Sequence, residues 1–209
     1  MRTSVSAIMA AVLMTLGVPL VNAQESDLRT RFEQDLTAKS EGIKTIRCNF
    51  IQERAVAALS QVAKKEGKFY LALPSDILLS FSDGDYIKMT SSWFEMQTAG
   101  KVNKTRVSSN PMLRSMRTLL AACMAGDFGM LSKGFNVAIE EGKTEWQVKL
   151  TPQRRGGRAK VSCIFLAFAK EDASLNVLRM EEDAGTYLQY TFSDKQFNGA
   201  IDSGLFKVK

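Results

Sequence analysis

The sequence predicts a mainly β protein with helices (an α+β fold), in which one curved antiparallel sheet of about ten or eleven strands carries helices on one side. Short segments with apolar residues at alternate positions recur along most of the chain, separated by turn residues. Only two segments, 26–40 and 111–126, have the spacing of helices instead. A sheet that curls without closing has a concave apolar face, and helices laid across that face enclose a cavity.

The first 23 residues have the composition of a cleaved secretory signal peptide. Arg2 gives a positive start, residues 5–18 are apolar, and Val21 and Ala23 occupy the positions where a signal peptidase requires small residues. The apolar run is too short to favour the alternative, an uncleaved membrane anchor. We therefore expect cleavage after Ala23, export to the periplasm, and a single mature domain over residues 24–209.

The mature chain begins with a predicted amphipathic helix and then changes period. Apolar residues recur every fourth position over residues 26–40, and Gly42 ends this pattern. From residue 43 the period becomes two, and Ile46, Cys48 and Phe50 share one face of a first strand. Residues 55–66 are either a loop or the beginning of the next strand.

The strongest strand signal lies at residues 67–85, in the sequence GKFYLALPSDILLSFSDGD. Two apolar strands are predicted there, bent at Pro74, which lacks an N–H and suits a corner. Asp83 and Gly84 form a pair that favours a hairpin turn. Further strands are expected at 86–89, 93–97 and 101–108. One face of the bent surface carries Phe69, Leu71, Leu73, Ile77, Leu79 and Phe81.

A second helix is predicted from Pro111 to Gly126, because asparagine caps helices and proline favours their first position. Its apolar face is rich in methionine, which is flexible and is common on promiscuous apolar surfaces. We weigh equally the possibility that it is an ordinary core helix. The residues on that face are Met112, Met116, Leu119, Leu120 and Cys123.

The second half of the chain is predicted to be a meander of five strands, at 135–140, 145–151, 159–169, 175–181 and 186–193. Residues 153–158 form the most basic cluster of the sequence. No aromatic residues alternate with these cations to stack on bases, so a solvated hairpin tip is favoured over a nucleic-acid site.

Several functional classes are disfavoured by composition. The chain contains no histidine, and no metal-binding, phosphate-binding or catalytic motif is found, so we expect a protein that is not an enzyme and that uses no cofactor or metal. Removal of Arg2 with the leader lowers the formal net charge from +6 to +5, which is too small to indicate nucleic-acid binding. Three cysteines allow either one disulfide with a free thiol or three buried thiols. Their apolar setting favours buried thiols.

Four stretches of the chain together resemble the periplasmic outer-membrane lipoprotein carrier family, LolA. They are IRCNFIQ at 46–52, the segment from GKFYL at 67 to SDG at 82–84, WQVKLTP at 146–152, and NGAID at 198–202 before Phe206. Each motif is weak alone, but their order and spacing fit one family over most of the mature chain.

The resemblance implies an incomplete antiparallel barrel, a helical lid and an apolar cavity between them. It also implies a monomeric carrier with three partners: lipoproteins, bound through their acyl chains; an inner-membrane lipoprotein-releasing ABC transporter; and an outer-membrane acceptor. The alternative is a periplasmic regulatory domain of the same fold that senses lipid or lipoprotein. The predicted acyl-binding residues are Ile46, Phe50, Phe69, Leu71, Leu73, Ile77, Leu79, Phe81, Met112, Met116, Leu119 and Leu120.

The sequence departs from the family pattern beside the proline. Leu73 occupies the position where well-known members have an arginine that bonds to the lid, and Ile77 replaces an aromatic residue. We therefore expect the lid of this chain to be held closed by apolar contact alone.

Overall fold

A computed structural model describes residues 20–59, 61–74, 76–109, 111–153, 161–183 and 185–208. These residues form three α-helices, eleven strands and two 3₁₀ helices (Val107–Ser109 and Ser203–Phe206). The helices are α1 (Leu20–Ser40), α2 (Pro111–Ala125) and α3 (Phe128–Ser132). The strands are β1 (Thr45–Ala55), β2 (Ala63–Ala72), β3 (Asp76–Phe81), β4 (Tyr86–Met89), β5 (Trp93–Thr98), β6 (Lys101–Arg106), β7 (Phe135–Glu141), β8 (Glu145–Pro152), β9 (Cys163–Ala169), β10 (Leu175–Asp183) and β11 (Thr186–Phe197).

The strands form one open antiparallel sheet in the order β6-β5-β4-β3-β2-β1-β11-β10-β9-β8-β7. Every neighbouring pair except one is also consecutive along the chain. The exception is the pair β1 and β11, which joins two meanders across a seam in the middle of the sheet. The prediction of an incomplete barrel with a helical cover is confirmed.

Most predicted elements lie where the sequence placed them, with shifted ends. Helix α1 begins at Leu20, before the predicted cleavage site, and the first strand begins at Thr45 rather than residue 43. The strand predicted at 101–108 ends at Arg106, where a 3₁₀ helix begins. The expected cap Asn110 and the basic residues 154–158 lie outside the described residues. None of the described helices is long and apolar enough to cross a membrane.

The corner at Pro74 joins strands β2 and β3. Strands β2 and β3 pair across it from Gly67 opposite Phe81 to Ala72 opposite Asp76. The peptide bond between Leu73 and Pro74 is cis, and the Leu73 N–H donates to the carbonyl of Lys44, 2.9 Å away. The Leu73 donor is therefore paired at the corner, and both strands keep their apolar residues on the same concave face.

The convex face is partly covered by the C-terminal segment, which sequence periodicity did not predict. Lys88 and Glu95 lie opposite each other on β4 and β5 and are both buried, with 3.7 Å between Nζ and Oε1. Tyr86 donates its hydroxyl to Glu95, and Lys88 donates to the carbonyl of Lys207. Phe206 is also buried. A buried pair of charges is tolerated when both are bonded, as they are here.

The three cysteines are free and buried, as the sequence favoured. Burial raises the pKa of Cys48 to about 12 and raises that of Cys123 further. The thiolate is the reactive form, and a raised pKa leaves little of it at about pH 8. We therefore expect the native protein to react slowly with a thiol reagent at that pH. Its electrophoretic mobility should not change on reduction. Rapid labelling of three thiols without denaturant, against a urea-unfolded control, would contradict the buried arrangement.

Gly67 lies where the sheet has no room for a side chain. A Cβ at this position would be 2.2 Å from the Ser80 carbonyl oxygen and 2.8 Å from Cζ of Phe50. We expect Gly67→Ala to lower the free energy of unfolding by about 1–3 kcal/mol, measured by urea denaturation. Gly199→Ala is the matched control, because nothing lies within 4 Å of its Cβ. Equal unfolding midpoints for the two variants would show that the sheet relaxes around the added methyl.

Candidate functional site

The concave face of the sheet is a continuous apolar surface built by strands from both meanders. Alternate residues of β1, β2 and β3 point inward because a strand places successive side chains on opposite faces. Strands β8 to β11 contribute in the same way. One buried cluster joins the two halves, and its sheet residues include Ile46, Phe50, Phe69, Leu71, Ile77, Leu79, Phe81, Trp146, Leu150, Leu166, Phe168, Leu178, Tyr190 and Phe192.

Aromatic rings connect the two halves across the seam. The rings of Phe50 and Phe81 pack edge to face with centroids 5.2 Å apart, and Phe50 also contacts Tyr190 at 5.8 Å. Phe69 packs on Phe192 at 5.5 Å. Gln52 donates to the hydroxyl of Tyr190, so the polar end of this buried ring has a partner. The surface is therefore apolar across the seam, and the hydroxyl of Tyr190 is already bonded within the protein.

The cover consists of separate helices over the two ends of this surface. Helix α1 lies over β8 and β9, where Phe32 contacts three rings: Phe128 of α3, Trp146 and Phe168, with centroids 5.2, 5.7 and 5.5 Å away. Asp35 accepts a hydrogen bond from Nε1 of Trp146 at 3.0 Å. Helix α1 is therefore attached to the sheet by both an aromatic cluster and a polar bond.

Helix α2, which we call the lid helix, contributes Leu120, Ala122, Cys123 and Met124 to the same buried cluster. Gly126 ends the helix at a φ of 71°, where a Cβ would lie 2.4 Å from Oγ of Ser40. The short helix α3, missed by sequence analysis, follows at once. Its five residues give too little periodicity to be recognised, although Phe128 is buried against α1.

Ten of the twelve predicted acyl-binding residues have described side chains, and all ten belong to this surface or pack against it. Leu73 and Leu119 are half-buried at its margin. The other eight are Ile46, Phe50, Phe69, Leu71, Ile77, Leu79, Phe81 and Leu120, and they are buried. The side chains of Met112 and Met116 lie outside the described part of the chain. Whether any of these residues binds an acyl chain stays a prediction.

All twelve predicted acyl-binding residues lie between Ile46 and Leu120, so the prediction omitted the contribution of the second meander, β7 to β11. Trp146, Val148 and Leu150 on β8 are buried at alternate positions, as are Ile164, Leu166 and Phe168 on β9. The period-two signal that predicted these strands could also have indicated which of their residues point inward. The missing information was the pairing of β1 with β11, which brings both meanders onto one face.

A cleft of about 370 Å³ opens between the lid helix and the corner at Pro74. Its walls are formed by Leu73, Pro74, Arg117, Thr118, Ala121, Ala122, Ala125 and Asp127. Nη1 of Arg117 donates a long hydrogen bond of 3.4 Å to the carbonyl oxygen of Thr90, in the turn between β4 and β5. The expectation that apolar contact alone holds the lid is therefore wrong. An arginine of the lid bonds to the sheet, although Leu73 itself makes only apolar side-chain contact.

A wider cleft, of about 700 Å³, lies between α1 and α3. Arg29 and Glu33 line it and form an ion pair of 2.8 Å. The guanidinium of Arg29 also lies 5.1 Å from the centroid of Phe128. These polar groups satisfy one another, and nothing about them indicates a ligand.

Comparison with known proteins gives a family and a fold. The family model described as "Outer membrane lipoprotein carrier protein LolA" matches residues 41–209. No curated protein matches the sequence. An uncharacterized conserved protein from Thermus thermophilus has a similar structure, with a TM-score of 0.51 and 9% identity over 90% of this chain and 94% of that one. At that identity the likeness shows the fold alone.

Two other solved structures with some similarity to this chain have names that refer to the same family. A putative outer membrane lipoprotein-sorting protein domain from Vibrio parahaemolyticus has a TM-score of 0.46 and 9% identity, over 84% of this chain and 94% of that one. A LolA superfamily protein from Nitrosomonas europaea has a TM-score of 0.39 and 11% identity, over 84% of this chain and 97% of that one.

The family match covers most of the chain and agrees with the open sheet, the lid helix and the apolar concave face. The family is one of carriers rather than of enzymes, so the chain is a binding protein and not an enzyme. The chain therefore belongs to the outer membrane lipoprotein carrier protein family, LolA.

Proposed function

We propose that the protein is a periplasmic carrier that binds the acyl chains of lipoproteins between the lid helix and the concave face, and moves them from the inner to the outer membrane. The observation that carries the proposal is the apolar cluster that continues from β3 across the seam to β8 and up to the lid helix. Family membership supports the same cargo.

Acyl chains need an apolar surface of this kind because their exposure to water is unfavourable. Each buried methylene contributes about 0.8 kcal/mol, so the acyl chains of a lipoprotein cannot cross an aqueous compartment unshielded. The concave face and the lid helix are in contact in this structure, with Phe69, Leu71 and Ile77 fully buried. An acyl chain therefore enters by replacing the contacts between lid and sheet with contacts of its own.

Such replacement requires a cover that is weakly held. Among its described side chains, helix α2 makes one polar bond to the sheet, the long one from Arg117, and otherwise packs through leucine, alanine and methionine. Helix α1 is held by the ring cluster around Phe32. We therefore assign the moving part of the cover to α2 and the fixed part to α1.

The proposed cycle requires two partners besides the cargo. An inner-membrane lipoprotein-releasing ABC transporter would load the carrier, and an outer-membrane acceptor would unload it. Purification of the mature protein from its native envelope, followed by mass spectrometry of bound molecules, tests the proposal. We expect acylated lipoproteins in the bound fraction. Recovery of one regulatory protein and no acylated species would favour the sensing alternative.

The proposed compartment requires removal of the leader. We expect N-terminal sequencing of protein extracted from the envelope to begin at Gln24, since Val21 and Ala23 fit the requirement of a signal peptidase. Replacing Ala23 with a bulky residue should block cleavage and leave the protein at the inner membrane. A mature protein that begins at Met1 would contradict export by a cleaved leader.

A further inference from the structure

We propose that the convex side of β5 and β6 docks on a membrane by binding anionic phospholipid headgroups. This surface, which we call the basic edge, consists of Trp93, Val102, Lys104 and Arg106, which lie on the same face of the two paired strands. It is separate from the concave face. A role in cargo exchange rests on the proposed function, whereas the docking itself does not.

The first observation is the charge of this edge of the sheet. Strand β6 has the sequence KVNKTR, with three cations and no acid, whereas the opposite edge strand, β7, has two acids and no cation. Glu95 is the one acid in the sequence of β5, and it is buried beside Lys88 and directly opposite Lys104. Three cations therefore surround one acid on the convex side, and a negatively charged partner is attracted there.

The second observation is the aromatic ring against which two of these cations lie. The centroid of the Trp93 ring is 4.7 Å from Cζ of Arg106, its cross-strand partner, and 4.5 Å from Nζ of Lys104. Contact with the ring orders both long side chains, so less entropy is lost when they bind an anion. Val102 follows on the same face and is 52% exposed. Tryptophan, an aliphatic side chain and basic residues together are typical of surfaces that lie at the headgroup level of a bilayer.

The third observation is the accessibility of β6, which favours a bilayer over a protein as the partner. Five of its six residues are exposed, so a flat array of phosphates can approach the whole strand. A guanidinium such as that of Arg106 binds phosphate through two parallel hydrogen bonds. Lysines on an edge strand discourage pairing with a strand of another chain. An acidic protein surface would also gain nothing from the exposed Val102.

The basic edge is directly connected to the cover of the concave face. Strand β6 leads into the 3₁₀ helix Val107–Ser109 and then into the lid helix, on which Arg114 is exposed. A protein docked through β6 therefore holds the beginning of its lid helix close to the headgroups. In the proposed carrier cycle, the moving part of the cover would lie at the membrane surface.

Co-sedimentation of the mature protein with vesicles tests the docking. One set of vesicles contains equal parts of phosphatidylcholine and phosphatidylglycerol, and the other contains only phosphatidylcholine with the same acyl chains. At low salt we expect the wild type to bind the anionic vesicles at least about tenfold more tightly than the neutral ones, because each basic residue near an anionic bilayer strengthens binding roughly fivefold. The preference should disappear at about 1 M salt.

The double variant Lys104→Gln/Arg106→Gln removes two exposed cations without placing a new charge beside Glu95. We expect its binding to anionic vesicles to fall roughly tenfold to thirtyfold. Lys133→Gln/Lys143→Gln is the matched control, because it removes the same charge at exposed positions in the other meander. The charge-preserving exchange Lys104→Arg/Arg106→Lys should bind as the wild type does.

Quenching of tryptophan emission locates the docked face. The chain has two tryptophans, and Trp146 is buried under α1 on the concave side. With a nitroxide-labelled headgroup lipid in the anionic vesicles, we expect quenching of the wild type and little quenching of Trp93→Phe. Equal quenching of the two proteins would place another face on the bilayer and overturn the proposal.

The outcomes separate the docking from the carrier proposal, because every variant should bind a fluorescent fatty acid as the wild type does. Equal binding of the wild type to both kinds of vesicle overturns the docking, even if fatty-acid binding supports a carrier. Equal losses in the two double glutamine variants would overturn the assignment to β6, since net charge alone would then explain binding. Binding to polyglutamate but not to anionic vesicles would assign the edge to an acidic protein instead. Thermal melts show that folded proteins are compared.

Discussion

Phe32→Ala is expected to lower the free energy of unfolding by about 3–5 kcal/mol, which would be the largest effect of any single truncation considered for this protein. The side chain is fully buried, and its ring contacts Phe128, Trp146 and Phe168 within 5.7 Å between centroids. Removing it leaves a cavity among three large rings that cannot collapse together, because two of them are on neighbouring strands.

The measurement is urea denaturation followed by tryptophan fluorescence. Phe165→Ala is the control, since Phe165 lies on the same strand as Phe168 but points to the convex face and is only half-buried. We expect Phe165→Ala to lower the free energy of unfolding by about 1 kcal/mol or less. Phe32→Leu, which keeps most of the volume, should fall between the two. Equal destabilisation by Phe32→Ala and Phe165→Ala would show that α1 does not depend on the ring cluster.

Leu120→Asp is expected to reduce binding of a fluorescent fatty acid or lipopeptide by at least about tenfold per folded molecule. Leu120 is buried at the interface between the lid helix and the concave face. A carboxylate there would be desolvated against a bound acyl chain. The fold should lose less stability, because an opened lid exposes the new charge to water.

Ser108→Asp is the control for this substitution, because it adds the same charge at an exposed position just before the lid helix. It should leave binding unchanged. Thermal melts of both variants decide how a loss of binding is interpreted. If Leu120→Asp melts far below the wild type and yet binds as well per folded molecule, then α2 is part of the core, and the acyl site must lie elsewhere.

Much of the fold was predictable because its elements are short and strongly periodic. The segment 67–85 predicted two apolar strands, a corner at Pro74 and a turn at Gly84, and all are present, with Gly84 at a φ of 89°. The strands of this segment end at proline and glycine, whose backbone preferences act locally. Local signals of this kind are visible without knowing what the strands pair with.

The features that were not predictable depend on distant parts of the chain. Lys88 and Glu95 have the spacing of solvent-facing strand residues, but both are buried, and Lys88 bonds to the carbonyl of Lys207, more than a hundred residues later. Likewise, nothing near Arg117 indicates that its side chain reaches Thr90, 27 residues earlier. The inward residues of β1 to β3 were therefore predicted. The inward residues of β8 to β11, and the bond from Arg117 to Thr90, were not.

The single non-sequential pairing of the sheet has a consequence for how the chain folds. Nine of the ten pairings of described strands join consecutive strands, whereas β1 and β11 are separated by most of the chain. Closing that long loop is slow, because its entropy is lost before the contacts form. We expect the two meanders to form early and the seam to form at the rate-limiting step. Substitutions at Phe50 or Phe192 should then slow folding, whereas those at the outer hairpins should mainly speed unfolding.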